Sequence, residues 1–337
     1  MLLNLFICER FTKTKTLKYY LINHALMKHT AIVTVFLVSI FIITQLVGLA
    51  LINKDIQSVE FNATTNQTVI VHSAQTEEIR PQTQGAGSFV FMLLGVLIGT
   101  IIVLLLVKFE KPNIWKVWFF LAVWITISIA LQVIVKVWIA MTIAIFLAIF
   151  KVYRPNVITH NITEVLMYSG IAVLLVPIFN IFWSIMLLLA ISVYDIIAVW
   201  HSKHMVKMAQ FQTRSRVFAG LMIPYRRKEK KVVAGFAHKA ALGGEKHAKK
   251  HAPEITNAIL GGGDVAFPLI FTGVVMEKMI LDGATKMAAF SQSLIITITT
   301  AIALTLLFFF AKKDKFYPAM PFITAGCLVG WVVVMLI

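Results

Sequence analysis

Long apolar runs that are nearly free of charged residues recur along the chain, and they predict membrane-spanning helices. A helix that crosses a bilayer needs about 20 mostly apolar residues. Five runs meet this requirement: 31–52, 87–107, 255–276, 287–311 and 317–337. Each of these runs is therefore predicted to cross a membrane as one helix.

Two further apolar stretches, 117–150 and 162–200, are too long for a single crossing. A helix rises about 1.5 Å per residue, whereas the hydrocarbon core of a bilayer is about 30 Å thick. Lys136 interrupts the first stretch, and Pro177 with Asn180 supplies a break in the second. The pattern thus predicts nine spanning helices in an all-α, polytopic membrane protein.

Composition excludes an ordinary water-soluble protein. Apolar residues make up 59% of the 337 positions and charged residues 14%, whereas soluble domains average about 45–50% and about 25%. The two cysteines, Cys8 and Cys327, are too few for a disulfide framework or a cysteine-rich metal site. We therefore expect neither a bound metal nor a cofactor.

The net charge of +16 carries a signal about orientation. A basic excess can indicate nucleic acid, but Lys and Arg concentrate here in alternate loops, as cytoplasmic loops do under the positive-inside rule. The segment 201–254 alone carries 13 of the 31 basic residues. This distribution places the N-terminus in the cytoplasm and the C-terminus outside. It predicts the lipid bilayer, and not nucleic acid, as the partner.

The spans divide the chain into four parts. Residues 1–30 are predicted to be a cytoplasmic leader, and 31–200 to hold the first six helices. Residues 201–254 are predicted to form a basic, mobile cytoplasmic loop, and 255–337 to hold the last three helices. We expect an integral, multi-pass protein of the cell membrane, with Glu164 at the membrane interface.

Two acidic residues, Asp195 and Asp264, lie inside apolar segments. An acid in the middle of a span costs on the order of 2.5–3.5 kcal/mol, so such residues are rare and usually functional. Counted from span ends near His201 and Ile255, the two acids lie at depths of roughly 9 Å and 14 Å from the cytoplasmic surface. Because consecutive antiparallel helices usually pack as neighbours, the two carboxylates are expected to meet.

A close pair of carboxylates has a specific chemistry. Two like charges a few Å apart in a low dielectric cannot both ionise, so they share a proton; one carboxylate then activates water while the other protonates the attacked carbonyl. A structural ion pair is the alternative, but only Lys136 among basic residues is expected within a span. Three glycines, 261–263, leave room for a substrate backbone, although such glycines also form packing patches between helices. Pro318 opens the ninth span near the same surface, where proline is also ordinary.

Three short motifs together resemble those of one family. They are, in chain order, Tyr194-Asp195, Gly261-Gly262-Gly263-Asp264 and Pro318-Ala319-Met320. They are similar to the Tyr-Asp, Gly-x-Gly-Asp and Pro-Ala-Leu motifs of the intramembrane aspartyl proteases of presenilin and signal peptide peptidase type. Met320 stands in place of the usual leucine, which is nearly volume-conserving. The resemblance covers about residues 31–337.

This resemblance implies an intramembrane aspartyl endopeptidase. It makes Asp195 and Asp264 the catalytic pair, and it implies cleavage of transmembrane segments of single-span proteins. The basic loop between the two acid-bearing spans favours the presenilin orientation over the opposite one of signal peptide peptidases. The short chain resembles an archaeal homologue that consists of the catalytic core. We therefore expect no obligatory subunits, self-cleavage within 201–254, and either a single copy or a homo-oligomer.

A proton- or cation-coupled transporter or leak channel is the second hypothesis. Transporters also use acids within the membrane and helices broken at glycines. They commonly contain an inverted repeat, which the sequence does not show, and the two acid-bearing spans are unlike each other. Liposome flux that persists with both acids neutralised, in the absence of protease activity, would favour this hypothesis. Zinc proteases fit less well because no His-Glu-x-x-His motif occurs, and rhomboid-type proteases fit less well because no His is expected within a span to activate a serine.

Overall fold

A computed structural model describes most of the apolar part of the chain. The described residues are 31–62, 67–154, 156–201, 208, 211–212, 215, 217–226, 255–311 and 317–337. The predicted leader 1–30 and most of the predicted loop 201–254, with its expected self-cleavage, lie outside them.

Nine long helices account for most of this described part of the chain. They are α1 Ala31–Asp55, α2 Ala86–Lys108, α3 Pro112–Gln132, α4 Val137–Tyr153, α5 Val157–Leu175, α6 Ile181–Ile196, α7 Gly262–Leu281, α8 Lys286–Phe310 and α9 Met320–Leu336. Six of them, α1, α2, α3, α5, α6 and α8, are long and apolar enough to cross a membrane, when α5 and α6 are counted with the turns that continue them to Ile178 and His201. Helices α4 and α9 are apolar but have 17 residues each. Helix α7 has 20 residues and carries three charged ones, Asp264, Glu277 and Lys278.

Both breaks predicted within the longer apolar stretches are confirmed. Helix α3 ends at Gln132, and Lys136 is the residue that precedes the first turn of α4. A short 3-10 turn, Val176–Ile178, follows α5, and the Asn180 side chain then accepts a hydrogen bond from the Trp183 N–H at 2.9 Å. A proline and an asparagine cap thus end one helix and begin the next.

The fold is not entirely α-helical as predicted, because it also contains two antiparallel strand pairs, which are called hairpins below. Strands β1 Ile56–Asn62 and β2 Gln67–His72 pair antiparallel, as do β3 Gly220–Arg226 and β4 Ile255–Gly261. The seventh helix therefore does not begin at residue 255 as expected, because the residues before Gly262 form β4. An apolar strand that leads directly into an apolar helix gives one continuous run, which hydropathy cannot divide.

Helix α7 lies at the centre of the bundle. It packs against α1, α5, α6, α8 and α9, and its buried side chains include Leu269, Phe271 and Met276. The β1–β2 hairpin contacts α7 through β2, and the β3–β4 hairpin contacts it through both strands. Helix α2 is peripheral by comparison, since only Ser88 and Val103 among its residues are buried.

The expectation that Glu164 lies at the membrane interface is wrong. Glu164 is 0% exposed, and its Oε1 accepts a hydrogen bond from Lys151 Nζ at 2.6 Å. Lys151 is in the last turn of α4, and its long side chain extends to α5. The sequence could not show this pair because its two residues are on different helices, and only their packing brings the charges together.

Glycines allow α8 and α9 to approach closely. A Cβ on Gly326 would lie 2.9 Å from Thr300 Cα, and one on Gly330 would lie 2.7 Å from Ile296 Cα. Within a bilayer, helices associate through close packing and not through the hydrophobic effect, so small residues spaced by four are effective contact sites. Helix α2 carries glycines at the same spacing, Gly95 and Gly99, but a Cβ there would meet nothing within 4 Å.

We expect the double change Gly326→Ala with Gly330→Ala to lower the melting temperature of the purified protein. The added methyl groups would force α8 and α9 apart, and overpacking of this kind costs roughly 1–3 kcal/mol per site. The matched control is Gly95→Ala with Gly99→Ala, which should leave the melting temperature unchanged or slightly raised, since alanine is the better helix former. Equal destabilisation by the two pairs would contradict this account of the α8–α9 contact.

Candidate active site

Asp195 lies at the last turn of α6, beside the start of α9. Its side chain is buried, and Oδ2 accepts a hydrogen bond from the Met320 N–H at 3.1 Å. The backbone of Ala319 also faces this carboxylate. A carboxylate at a helix N-terminus is stabilised by the unpaired N–H groups there. The predicted Pro-Ala-Met segment therefore holds Asp195 through its backbone.

The neighbouring side chains fix the end of α6 on two sides. The Tyr194 hydroxyl and Thr100 Oγ1 of α2 are 2.9 Å apart, and Ser192 Oγ is 2.7 Å from Thr324 Oγ1 of α9. A π-helical segment, Ile197–His201, follows α6 directly. Wide turns of this kind are frequent at functional sites, because they change the direction in which the adjoining side chains point.

Asp264 lies in the first turn of α7, two residues after the helix begins at Gly262. Strand β4 continues into this helix without an intervening loop, and its last residue, Gly261, is extended, with φ −62° and ψ 147°. A Cβ on Gly261 would lie 3.1 Å from Asp264 Oδ2, so glycine leaves room for the carboxylate. Pro268, four residues later, has no N–H to donate to the Asp264 carbonyl. Asp264 thus lies where the helix has few hydrogen bonds of its own.

One cavity of about 280 Å³ brings these elements together. Asp195 and Asp264 both line it, and their carboxylates are close enough to interact electrostatically. The residues of the sequence motifs that line this cavity are Tyr194, Asp195, Gly261, Gly262, Gly263, Asp264 and Met320. Pro318 and Ala319 do not line it; they precede Met320, and Pro318 is buried.

Several lining residues were not found from the sequence. Val96 and Thr100 come from α2, and Phe218 and Ala219 come from the segment before β3. These are ordinary apolar or small residues far from the motifs in the chain, so nothing in their type or spacing indicates a site. The lining by Val96 and the Tyr194 contact with Thr100 together show that α2 forms one wall.

The arrangement has the chemistry of an acid–base pair. Two carboxylates that interact within one cavity favour a state in which they share one proton. Such a pair can take a proton from water and deliver one to a leaving group. The backbone N–H of Met320 and the space at Gly261 orient the two carboxylates.

Comparison with models of known protein families assigns the chain to one family. The family model described as signal-peptide peptidase, presenilin aspartyl protease matches residues 38–337. The chain therefore belongs to the family of presenilin and signal-peptide peptidase aspartyl proteases, which act within the membrane. A comparison with curated protein sequences gave no match.

Solved structures share the fold. A presenilin family intramembrane aspartate protease, solved in space group C222, is 14% identical with a TM-score of 0.57, and the match covers 90% of this chain and 98% of that one. The same type of protease in space group P2 gives 14% identity and a TM-score of 0.55, over 89% and 96%. The chain thus has a presenilin-like fold of membrane helices.

We expect the hydrogen bond between Tyr194 and Thr100 to couple α2 to the end of α6 energetically. A double-mutant cycle with Tyr194→Phe and Thr100→Val should give a coupling free energy of about 0.5–1.5 kcal/mol, the usual net contribution of a neutral hydrogen bond. The measurement is thermal or denaturant unfolding in detergent of both single variants, the double variant and the unchanged protein. Strictly additive effects would show that the 2.9 Å contact does not stabilise the protein.

Proposed function

We propose that this protein is an intramembrane endopeptidase of the Gly-x-Gly-Asp type, with Asp195 and Asp264 as its catalytic pair. The observation that carries the proposal is the single cavity lined by both carboxylates, by the glycines before Asp264 and by Met320. The substrates proposed are transmembrane segments of single-span proteins. Family membership supports this substrate class, because its members act within the bilayer.

The proposed reaction needs only the two carboxylates and water. The ionised carboxylate accepts a proton from water, whose oxygen attacks the carbonyl carbon of the scissile peptide bond. The protonated carboxylate donates its proton to that carbonyl oxygen, and the resulting tetrahedral intermediate collapses with proton transfer to the leaving nitrogen. Because the pair titrates as a unit, neither acid is assigned a fixed role.

Nine spans, a cytoplasmic N-terminus and an outward C-terminus complete the proposal. The six helices that are long and apolar enough to cross a membrane would be joined by the apolar, 17-residue α4 and α9 and by the more polar α7, which gives nine crossings in this proposal. The positive-inside rule then places the β3–β4 end of the bundle at the cytoplasm, where the basic segment 201–254 belongs. We propose the cell membrane as the location and a single chain as the catalytic unit, with no obligatory subunit.

A substrate helix must unwind before it can be cut, since its carbonyls are engaged in its own hydrogen bonds. We propose that the unwound stretch is held as an added strand on the β3–β4 hairpin. The outer edge of β3 is occupied. His160 Nε2 is 2.8 Å from the Gly220 carbonyl oxygen, and the Asn161 side chain donates to the Met222 carbonyl oxygen and accepts from the Met222 N–H.

Strand β4 therefore offers the available edge. Met222 pairs with Ile259, and its N–H and C=O both point at Asn161, away from β4. In an antiparallel pair the opposite residue also points outward, so the N–H and C=O of Ile259 face the outer edge of β4. Pro224, two residues along β3, fits this pattern because a proline can occupy a position with no ladder bond.

We expect Asp195→Asn and Asp264→Asn each to abolish cleavage of a transmembrane substrate in detergent. Each change keeps the side-chain volume but removes the group that carries the shared proton. The assay is product formation by mass spectrometry, with melting temperature as a check on folding. Substantial cleavage by either folded variant would contradict the proposed mechanism.

We expect Ile259→Pro to lower kcat/KM by roughly threefold to tenfold, the effect of one lost hydrogen bond. Proline removes the outward N–H that a substrate strand would use, and the bonds between β3 and β4 do not need that N–H. Ile259→Ala is the matched control, because it shortens the side chain and keeps the N–H. If both variants cleave equally well, pairing along this edge is not part of the reaction.

A further inference from the structure

Three buried side chains of α5 form a continuous stripe beside the site. His160, Glu164 and Tyr168 are spaced by four residues, so they lie on one face of the helix. One end of this face contacts β3 through His160, and the other contacts the start of α7 through Tyr168. The proposed reaction uses none of the three.

The Tyr168 hydroxyl lies directly against the start of α7. A Cβ built on Gly262 would be only 2.6 Å from this oxygen, so the close approach depends on glycine at 262. Tyr168 is buried and is close enough to Asp264 to interact electrostatically. The tyrosine therefore contacts the backbone that carries Asp264 without lining the cavity itself.

Unmet hydrogen-bonding groups face one another at this contact. The first N–H groups of a helix have no partner within it, and Gly261 supplies no side-chain cap to α7. Among the residues that the structure describes, Tyr168 Oη and Glu164 Oε2 are buried without a hydrogen-bond partner. A hydroxyl can donate one hydrogen bond and accept another, so the Tyr168 hydroxyl can donate to Glu164 Oε2 and accept from an N–H group of α7 at the same time.

Lys151 holds the Glu164 carboxylate in place beside Tyr168. Its ammonium group donates to Glu164 Oε1 at 2.6 Å and to Thr163 Oγ1 at 3.1 Å. The bond orients the Glu164 carboxylate and leaves Oε2 as an acceptor next to Tyr168. A buried, hydrogen-bonded carboxylate of this kind is a strong acceptor for a hydroxyl.

We propose that Tyr168 is a positioning residue for Asp264. Its hydroxyl donates to Glu164 and accepts an N–H from the first turn of α7, in place of the side-chain cap that the glycines cannot provide. The contact fixes the helix start and directs the Asp264 carboxylate toward Asp195. This inference rests on the proposed function, in which Asp264 is catalytic.

The test is Tyr168→Phe in the full chain, assayed in detergent with a transmembrane peptide substrate. We expect kcat to fall about 10- to 100-fold with KM little changed, because the Asp264 carboxylate is misplaced while no side chain that lines the cavity is altered. The acid limb of the pH–rate profile should also shift. A tyrosine that serves only packing would lower the melting temperature and leave the pH profile unmoved.

Ser169→Ala is the matched control. Ser169 is the next residue of α5, is also buried, and bonds the Val165 carbonyl of its own helix at 2.8 Å. Its loss should affect stability at most and leave kcat within about twofold. If Tyr168→Phe does not fold, Glu164→Gln must show the same fall in kcat and the same change in pH profile, because it weakens the acceptor.

A double-mutant cycle locates the contact. Gly262→Ala should reduce kcat strongly in the unchanged protein and less in the Tyr168→Phe background, where the oxygen at 2.6 Å is removed. Gly263→Ala is the control, since its Cβ would meet only Phe267 at 3.4 Å and should combine additively with Tyr168→Phe.

Two results would overturn the positioning role. One is a Tyr168→Phe variant with unchanged kcat and pH profile, and the other is additivity of Tyr168→Phe with Gly262→Ala. Asp264→Asn separates this outcome from failure of the proposed function. If Asp264→Asn is inactive while Tyr168→Phe cleaves normally, only the role of Tyr168 fails; if Asp264→Asn cleaves, the proposed function fails.

Discussion

A bilayer offers no water to hydrogen-bond with backbone groups, so every irregular stretch of chain inside it must find partners within the protein. The start of α7 has few hydrogen bonds of its own to meet this constraint, because glycines precede Asp264 and Pro268 follows it. Neighbouring elements supply the missing bonds: the Gln45 side chain of α1 donates to the Val265 carbonyl at 2.9 Å, and β4 is continuous with the helix. The sequence of α7 therefore requires neighbours that supply these bonds, and the central position of the helix provides them.

The sequence predicted the fold where periodic patterns decide it. The break at Lys136 and the break at Pro177 and Asn180 follow from charge and backbone chemistry, and both are present. The three motifs also indicated residues that line one cavity, although Pro318 and Ala319 do not line it. Strand β4 was missed because it merges with the apolar run of α7, and Thr100 was missed because its contribution depends on which helix packs beside Tyr194.

Buried charges were the other systematic omission. The sequence suggested that Glu164 lies at the membrane interface, yet it pairs with Lys151 in the interior. At the other end of the bundle Asp55, also buried, pairs with Arg80, and His72 lies between Asp55 and Glu277 of α7. Hydropathy scores each residue alone, whereas the cost of burying a charge depends on its partner. Ion pairs between residues on different helices or strands therefore cannot be predicted from hydropathy before the packing is known.

The pairing of β3 with β4 has a mechanical consequence for the chain. Seven residue pairs, from Gly220 with Gly261 to Arg226 with Ile255, join the two strands that flank the segment 227–254. His160 and Asn161 further anchor β3 to α5. A backbone cut anywhere between Arg226 and Ile255 would leave this ladder and the helix contacts intact. The two fragments would then migrate as one particle in detergent and separate only on denaturation, so such a nick would alter connectivity without altering the architecture.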